Sequence, residues 1–493
     1  MAKIKIDPER KIGNVDRRIF SGFIEHLGRC IYGGIYEEDS PLSDANGFRK
    51  DVMEAIRPLR LPLLRWPGGN FVSGYHWTDG IGPREKRPRR LELAWHTEES
   101  NRFGTDEFMQ YCRAVGTEPY LCVNVGSGTL DEAQAWVEYC NGTSNTYWAN
   151  LRRQNGHEEP YNVKYWGLGN EMYGSWQIGR LSAEDYVKKA VEFAKVMQWT
   201  DPNIQLVGCG QNGWSDWDRI VLEGLAPFVR YHSIHLYTGS SDYYNNVLTV
   251  HQTERALRNC QAMIDLIRYN QKIAHPIHVA YDEWNVWFRM REAETRLEEQ
   301  YTLADALAVA SYLNTFIRHC NTVKIANLAQ LVNVIAPIFT NKDGLFLQTI
   351  YHPLRLLSEC TQETALDVYV DSETYTLPPD HEAAPWSHSI ADLGPFKFLD
   401  VTVTCDASEH ELAIAVVNRD RERAHPTTIQ LTDAATMTGA IAYEVNADSP
   451  DAVNSFEHPH TVDVREQRLD QRGQSISHTF APHSFTLLRL QLA

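Results

Sequence analysis

One alternation dominates the N-terminal part of the chain: a short apolar run rich in β-forming residues, a polar loop, and a longer helix-like stretch. Strands that alternate with helices form right-handed βαβ units and a parallel sheet, either an open doubly wound sheet or a closed barrel. The count of eight, and the lack of a glycine-rich phosphate loop after the first run, favour a (β/α)8 TIM barrel. Between Ile19 and Leu331 the eight runs are IFSGFIEH, LPLLRWPGG, PYLCVNVG, VKYWGLGNE, IQLVGCG, YHSIHLY, IHVAYDEWN and VKIANLAQL.

The pattern changes after Thr361. Runs such as FLDVTVTCD and HSFTLLRLQL alternate polar with apolar residues, which is typical of an antiparallel β-sandwich. The proline-rich stretch TLPPDHEAAPWSHSIADLGP is expected to be a long loop in that sandwich. We therefore predict an α/β plus all-β protein, with an N-terminal strand (1–14) that joins the sandwich, a barrel (15–361) and a jelly-roll-like β-sandwich (362–493).

The amino-acid composition limits the classes of molecule that this chain is expected to bind. The net charge of −17, without a basic block, argues against nucleic acid and anionic membrane surfaces. A neutral ligand such as a sugar suits this balance, and the 13 Trp and 23 Tyr supply aromatic faces for one. Neither a signal segment nor a membrane span is visible, and the nine dispersed cysteines are typical of reduced thiols, so a cytoplasmic location is predicted.

Polar residues end most of the predicted strands, where a parallel barrel collects its chemistry. Glu171 and Glu283 end the fourth and seventh strands, nearly across the mouth from each other. Two facing carboxylates around a sugar-sized gap suit glycosidic bond cleavage, although a lone Asn-Glu pair also occurs in surface turns. The other strand-end residues are Glu25, Arg65, Asn70, Asn124, Asn170, His235, Tyr237 and Gln330.

A metal centre is not predicted. His232 and His235 are three residues apart in one strand, so their side chains point to opposite faces of the sheet. No cluster of two histidines and an acid has the spacing of metal ligands. His235 is instead expected to support Glu283 by a hydrogen bond.

Long motifs give the chain a specific resemblance. GFIEHLGRCIYGGIYE, LRWPGGNFVSGYHWTDGIGP, RPRRLELAW, GLGNEMYGSWQIG, DEWNVW, LAQLVNVIAPI and SPDAVNSF resemble the α-L-arabinofuranosidases of glycoside hydrolase family 51, which are retaining barrel glycosidases. The resemblance implies an exo-acting enzyme that needs no cofactor. It implies removal of terminal non-reducing α-L-arabinofuranosyl residues from arabinoxylan and arabinan by double displacement.

The resemblance also assigns roles. Glu171 in GNE matches the general acid/base, and Glu283 in DEW matches the nucleophile. A second negative charge so close to the first is expected to raise the pKa of Glu171 and keep it protonated. Arg65 matches an arginine that keeps the nucleophile ionised, and Asn170 a residue that binds the hydroxyl next to the anomeric carbon. The remaining matched residues bind the furanose hydroxyls or form aromatic walls: Glu25, Asn70, Tyr237 and Gln330, then Trp95 and Trp287.

Other interpretations stay open at this stage. Arg65 could form a structural ion pair, Gln330 could cap a loop and Trp95 could be core. An endoglucanase or β-xylosidase of the same clan is the nearest alternative activity, and a non-catalytic carbohydrate-binding protein is a remote one. The segment after Trp287 is shorter than in many relatives, which leaves the preferred polymer undecided. The resemblance further implies a homo-oligomer, a hexamer.

Overall fold

The computed structural model describes residues 1–289, 297–378, 388–432 and 436–493. Residues 290–296, in the segment predicted to shape the leaving-group side, therefore lie outside the described residues. The same holds for residues 379–387 of the proline-rich stretch.

The first eleven strands include all those predicted for the barrel. They are β1 (Ala2–Asn14), β2 (Ser21–Phe23), β3 (Leu63–Trp66), β4 (Arg90–Glu92), β5 (Thr97–Glu99), β6 (Glu118–Val123), β7 (Tyr165–Leu168), β8 (Gln205–Gly208), β9 (Val229–Thr238), β10 (His278–Val286) and β11 (Val323–Ala329). The α-helices are α1 (Lys50–Ile56), α2 (Thr105–Val115), α3 (Leu130–Asn141), α4 (Tyr147–Gln154), α5 (Ala183–Thr200), α6 (Asp216–Leu225), α7 (Tyr243–Leu248), α8 (His251–Gln271), α9 (Leu303–Arg318) and α10 (Tyr351–Cys360).

The remaining strands form two short hairpins and the sandwich. They are β12 (Ile338–Asn341), β13 (Gly344–Leu347), β14 (Thr364–Asp371), β15 (Thr374–Tyr375), β16 (Phe396–Lys397), β17 (Leu399–Cys405), β18 (Glu411–Asn418), β19 (His425–Leu431), β20 (Met437–Asn446), β21 (Asp463–Leu469), β22 (Ser475–Phe480) and β23 (Ser484–Leu492).

Eight parallel strands close into a barrel in the order β2-β3-β6-β7-β8-β9-β10-β11. Each of them overlaps one of the eight predicted runs, so the predicted TIM barrel is confirmed. Helix α5 begins at a capping serine: the Ser182 hydroxyl accepts the backbone N–H of Asp185.

Large side chains fill the lower part of the barrel. They form a separate buried cluster, with members from seven of the eight strands, which we call the barrel plug: Leu63, Tyr120, Tyr165, Val207, Tyr231, Ala280 and Ile325. Side chains alternate along a strand, so the residue two positions after a plug member also points inward, one layer nearer the mouth. Arg65, Ser233 and Asp282 occupy this upper layer.

The C-terminal strands and β1 form one nine-stranded sheet in the order β21-β20-β23-β18-β17-β14-β1-β19-β22. Its pairings are antiparallel except that of β1 with β19, which is parallel. The predicted antiparallel sandwich is thus confirmed as a mostly antiparallel sheet, with this one parallel pair. Since β1 is far from β19 in the chain, no hairpin turn imposes an antiparallel pairing.

The sandwich packs on the barrel through α9. The side-chain amide of Asn314 donates to Asp400 at 3.1 Å, and Arg318 forms an ion pair with the same carboxylate at 2.9 Å. All nine cysteines are buried and unpaired. Within the described ranges, no helix has the length and apolar character needed to cross a bilayer.

Candidate active site

A cavity of about 530 Å³ opens at the carboxyl ends of the barrel strands. Asn124 lies outside its walls and donates instead to the backbone oxygen of Tyr75 at 2.9 Å. Arg65 lies beneath the floor and is almost completely buried. Ten of the predicted residues line the cavity together: Glu25, Asn70, Trp95, Asn170, Glu171, His235, Tyr237, Glu283, Trp287 and Gln330.

Arg65 organises the floor of the cavity from β3. Its Nη1 donates to Oε1 of Glu283 at 2.7 Å and its Nη2 donates to Oδ1 of Asn170, also at 2.7 Å. The planar guanidinium thus fixes two residues from different strands in one geometry. The guanidinium also lies over the Phe23 ring, 4.6 Å from its centroid.

A bulge in β10 brings two successive carboxylates to the same side of the strand. Ala280 pairs with Ser233 of β9 but Glu283 pairs with His235, so β10 carries one residue more than β9 over this interval. Without the extra residue, strict alternation would point Asp282 and Glu283 to opposite faces. With it, Asp282 stays in the upper layer of the barrel and Glu283 reaches the mouth.

Glu283 is held at both oxygens. Oε1 accepts from Arg65, and Oε2 accepts from the Tyr237 hydroxyl at 2.9 Å. These bonds hold the carboxylate in one orientation. The Tyr237 ring also meets the Trp287 ring edge to face, with the centroids 5.3 Å apart, so the wall of the cavity is continuous with the residue that holds Glu283.

Glu171 follows β7 in a left-handed backbone conformation, with φ of +43°. Its Oε1 lies 2.9 Å from Nδ1 of His235, and its Oε2 accepts from the indole N–H of Trp176 at 2.6 Å. Burial alone raises the pKa of Glu171, but the hydrogen bond and charge of His235, with the Trp176 bond, lower it below its usual value. The expected rise in the pKa of Glu171 was therefore wrong.

His235 lies among three carboxylates, and its closest contact is not the predicted one. Its Nδ1 is 2.9 Å from Glu171 but 3.5 Å from Oε2 of Glu283, and its Nε2 is 3.2 Å from Oδ1 of Asp282. Burial lowers the pKa of His235, but the three carboxylates outweigh it and raise the pKa to about 10. His235 therefore carries a proton at neutral pH. As predicted, His232 points to the other face, where it meets Asp218 of α6.

Asp282 connects the two sides of the site, and sequence reasoning missed it. It accepts from the hydroxyls of Tyr120, at 2.7 Å, and Ser233, and faces His235 and Arg65. Burial raises the pKa of Asp282. The charge of Arg65 and the hydrogen bonds with His235 and Ser233 outweigh that effect and hold the pKa far below its usual range. The motif DEW does contain this acid, but alternation alone gave no reason to place it beside Glu283.

Glu25, from the end of β2, forms one wall. Its Oε1 accepts from the indole N–H of Trp95 at 2.9 Å and from the backbone N–H of Phe71, and its Oε2 accepts from the Gln330 amide at 3.0 Å. Burial, with the charge of Glu283, raises the pKa of Glu25 to about 8. The neighbouring His26 points away from Glu25, with its Nδ1 2.7 Å from Oε2 of Glu99.

Asn170 has an unused donor inside the cavity. Its Oδ1 accepts from Arg65, while its Nδ2 is buried without a partner among the described residues. Buried polar groups are normally satisfied, so this amide is ready to bind a hydroxyl of a ligand. Asn70 lines the same cavity from the loop that follows β3.

Side chains that the sequence did not single out complete the open side of the cavity. Trp176 is half exposed, and its position follows from the turn after Glu171. Trp176 lies in the motif GLGNEMYGSWQIG, which could have indicated it, but roles were predicted only for Asn170 and Glu171 of that motif. The other residues missed on this side are Tyr173, Gln211, Asn212, Trp214 and His388.

Glu171, His235 and Glu283 could in principle offer ligand atoms to a metal, since one donor atom from each lies within 4.8 Å of the others. The contacts argue against this use. Both glutamates already have hydrogen-bond donors at the cluster, Trp176 for Glu171 at 2.6 Å and Tyr237 for Glu283 at 2.9 Å. Arg65 also places a positive charge 2.7 Å from Glu283. The geometry favours an ion-pair cluster that positions two carboxyl groups.

Comparisons with known proteins identify the family of the chain. Two family models match: Alpha-L-arabinofuranosidase 1 domain over residues 55–255, and Alpha-L-arabinofuranosidase C-terminal domain over residues 282–484. A probable alpha-L-arabinofuranosidase C from Aspergillus clavatus is 44% identical, covering 99% of this chain and 96% of the fungal one. An intracellular exo-alpha-(1->5)-L-arabinofuranosidase 1 from Bacillus subtilis is 41% identical, covering 86% and 85%.

Solved structures give the same result. The alpha-L-arabinofuranosidase from Thermotoga maritima, in complex with arabinose, has a TM-score of 0.94 and 43% identity, with 100% of both chains covered. The GH51 alpha-L-arabinofuranosidase from Thermotoga petrophila has a TM-score of 0.93 and 42% identity, again over 100% of both chains. A parallel barrel with two glutamates facing each other at its mouth defines a glycoside hydrolase of the barrel type. The chain belongs, more narrowly, to the α-L-arabinofuranosidases of glycoside hydrolase family 51.

Proposed function

We propose that the protein is an exo-acting, retaining α-L-arabinofuranosidase with Glu171 as general acid/base and Glu283 as nucleophile. One observation carries the proposal: oxygens of Glu171 and Glu283 lie within 4.8 Å of each other. Retaining glycosidases hold their carboxyl groups about 5–5.5 Å apart, whereas inverting enzymes need about 6.5–9.5 Å to admit a water molecule.

In the first step, a Glu283 oxygen attacks the anomeric carbon as the bond from that carbon to the leaving oxygen breaks. The product is a β-linked arabinosyl-enzyme ester, because attack inverts the α-configured centre. Arg65 and Tyr237 hold Glu283 from both oxygens, so the attacking lone pair has a fixed direction. Asn170 binds the hydroxyl next to the anomeric carbon through its unused amide.

The leaving oxygen needs a proton, and the pair of His235 and Glu171 holds one. That proton rests on Nδ1 of His235, which faces Glu171. As the leaving oxygen gains negative charge, His235 gives this proton to Glu171 through Nδ1, and Glu171 passes it to the leaving oxygen. Neutral His235 then still donates through Nε2 to Asp282. In the second step Glu171 takes a proton from water, which attacks the ester and releases arabinose in the α configuration.

The substrates follow from the shape of the site and from the relatives. A cavity of about 530 Å³ with a closed floor suits a single terminal furanose ring, and aromatic side chains on its open side suit a sugar leaving group. We infer arabino-oligosaccharides, arabinan and arabinoxylan as substrates. The Bacillus subtilis relative is named for α-(1→5) linkages, which makes arabinan fragments the first ones to assay.

An activity screen with proton NMR tests the proposal. Aryl α-L-arabinofuranoside should be cleaved with α-arabinose as the first-formed product, while aryl β-xyloside and cellulosic substrates should be poor substrates. Inverted arabinose as the first product would refute the double displacement. A preference for cellulosic substrates would favour the endoglucanase alternative, which the family match does not support. The presence of both strand-end glutamates likewise disfavours a non-catalytic sugar-binding role.

We also propose a cytoplasmic enzyme that forms a homohexamer. The location is supported by the buried, unpaired cysteines and by the intracellular relative. The hexamer is supported by the family resemblance alone. Activity found mainly outside intact producing cells would contradict the location. A monomer mass by light scattering at micromolar concentration would contradict the assembly.

A further inference from the structure

A second cavity, of about 510 Å³, lies between the barrel and the sandwich. Its walls come from α8 and α9 on the barrel side and from β14, β16 and β17 on the other side. We call it the junction cavity. It shares no wall residue with the catalytic cavity, and nothing in the proposed mechanism uses it.

The junction cavity is rich in positive charge. The chain carries a net charge of −17, yet five cationic side chains and only three acidic ones line this cavity. A local excess of one sign in a recessed site attracts ligands of the opposite sign. The five cations are Arg255, Arg258, Arg318, Lys397 and Arg419.

The three acids are already engaged. Asp400 pairs with Arg318 at 2.9 Å, and Asp367 pairs with Arg10. Glu254 lies 3.3 Å from His251. Burial raises the pKa of Glu254, but its histidine hydrogen bonds and the charge of Arg318 hold that pKa far below the usual range. The acids therefore leave part of the positive charge of the cavity without a partner.

Three cationic groups have donors to spare. Arg419 is only 2% exposed, and its terminal nitrogens contact His251 at 2.8 Å and the backbone oxygen of Lys397 at 2.6 Å. Its Nε is buried and meets no hydrogen-bond partner among the described residues. Arg258 and Lys397 are exposed at the rim, and neither has an ion-pair partner in the described part of the chain.

We propose that the junction cavity binds a small oxyanion carrying a phosphate group, with Arg419, Arg258 and Lys397 as its donors. A buried N–H without an acceptor destabilises a fold, so the Nε of Arg419 is suited to an incoming oxygen. Arginine and lysine together are the usual partners of phosphate, as a fork and a point charge. The bound anion would connect α8 to the sandwich and stabilise their junction.

The first experiment is calorimetric titration of the full-length protein with inorganic phosphate in a buffer free of other polyanions. We expect saturable binding of one phosphate per chain. sn-Glycerol 3-phosphate should bind as well and glycerol should not, which assigns recognition to the phosphate group. The midpoint temperature of thermal unfolding should rise by about 1–3 °C when the phosphate concentration is ten times the dissociation constant, because the anion binds only the folded chain.

Variants separate specific binding from the general stabilising effect of phosphate. The double variant Arg258→Ala/Lys397→Ala alters only rim side chains, and Arg419→Lys keeps the charge but removes Nε. Each should bind phosphate at least tenfold more weakly while keeping kcat on an aryl arabinofuranoside. The matched control, Lys342→Ala/Arg472→Ala, removes two exposed cations elsewhere and should bind like the wild type. No saturable binding, or equal binding by all variants, would overturn the proposal.

Discussion

Nδ1 of His235 lies 2.9 Å from Oε1 of Glu171 and 3.5 Å from Oε2 of Glu283, so one imidazole faces both carboxylates. Proton occupancy at His235 and at Glu171 is therefore linked, and a change at one alters the other. The pKa of His235 is raised to about 10, whereas that of Glu171 is lowered. This arrangement gives the site a positive charge next to its proposed acid.

The stability of the protein should depend on pH through His235. Its folded pKa of about 10 exceeds the unfolded value of about 6.5, so its contribution is complete below about pH 6.5 and is lost as pH rises through 10. His235→Gln should lower the free energy of unfolding by about 3–5 kcal/mol near pH 6, and by less near pH 10. Urea denaturation at both pH values measures the difference.

His232→Gln is the matched control, because His232 is buried on the opposite face of the same strand. It should reduce stability but leave kcat close to wild type, while His235→Gln should lower kcat as well. Equal losses of kcat in the two variants would contradict the role proposed for His235.

The two glutamates should differ in their response to the leaving group. Glu171→Ala should lose about 10²–10⁴-fold in activity on arabino-oligosaccharides, because a sugar leaves poorly without a proton. It should keep much more of the first step on an activated aryl arabinofuranoside. Glu283→Ala should be nearly inactive on both substrates, because it lacks the nucleophile.

Azide then distinguishes the two roles by stereochemistry. In Glu171→Ala, azide attacks the β-linked ester and should give the α-configured arabinosyl azide. In Glu283→Ala, azide attacks the substrate directly from the vacant face and should give the β-configured product. NMR of the isolated azides reads the outcome, and exchanged configurations would show that the role assignment is reversed.

Arg65 should be needed for catalysis in a way that lysine cannot replace. Arg65→Lys retains a charge but cannot reach Glu283 and Asn170 with a planar fork, so kcat should fall by at least tenfold. Arg152→Lys is the control, because Arg152 is equally buried but bonds only backbone oxygens. It should reduce thermal stability without a comparable effect on kcat. A similar kcat for both variants would show that Arg65 has only a structural role.

Trp95 should act mainly on binding. Trp95→Phe keeps an aromatic wall but removes the N–H bonded to Glu25, so KM should rise about fivefold, equivalent to about 1 kcal/mol, with little change in kcat. Leu93→Ala, an exposed change on the same hairpin turn, should leave both constants unaltered. A loss confined to kcat would place Trp95 in the chemical step instead.

Removal of metal ions should have no effect. The cluster of Glu171, His235 and Glu283 is balanced by protonated His235 and by Arg65. Dialysis against a chelator should therefore leave kcat and KM unchanged. Activity lost on dialysis and restored by a divalent ion would overturn this interpretation of the cluster.

Sequence patterns predicted the barrel because each strand carries its own apolar run, and strand ends mark the mouth. They therefore gave the wall residues, such as Glu25 and Gln330, which the structure brings together. Alternation could not predict the bulge in β10, since nothing in the sequence marks an inserted residue. For that reason the position of Asp282 was missed.

Ionisation was harder to predict than position. The pKa of Glu171 depends on whether His235 lies nearer to Glu171 or to Glu283. The two distances from Nδ1 of His235 differ by less than 1 Å. A sequence gives neighbours along the chain but not such distances. The nucleophile-supporting role expected of His235 stays a prediction, since its shorter contact is to Glu171 and its longer one to Glu283.

The barrel plug makes the catalytic cavity a dead end. Tyr165 and Tyr231 close the axis below the floor, and Arg18 lies against both rings from beneath. Substrate must therefore arrive, and both products must leave, through one opening. The remaining saccharide has to depart before arabinose can follow, so hydrolysis cannot proceed along a chain without release. We therefore expect free arabinose to compete with the next substrate for the same space, so that accumulation of the sugar slows hydrolysis.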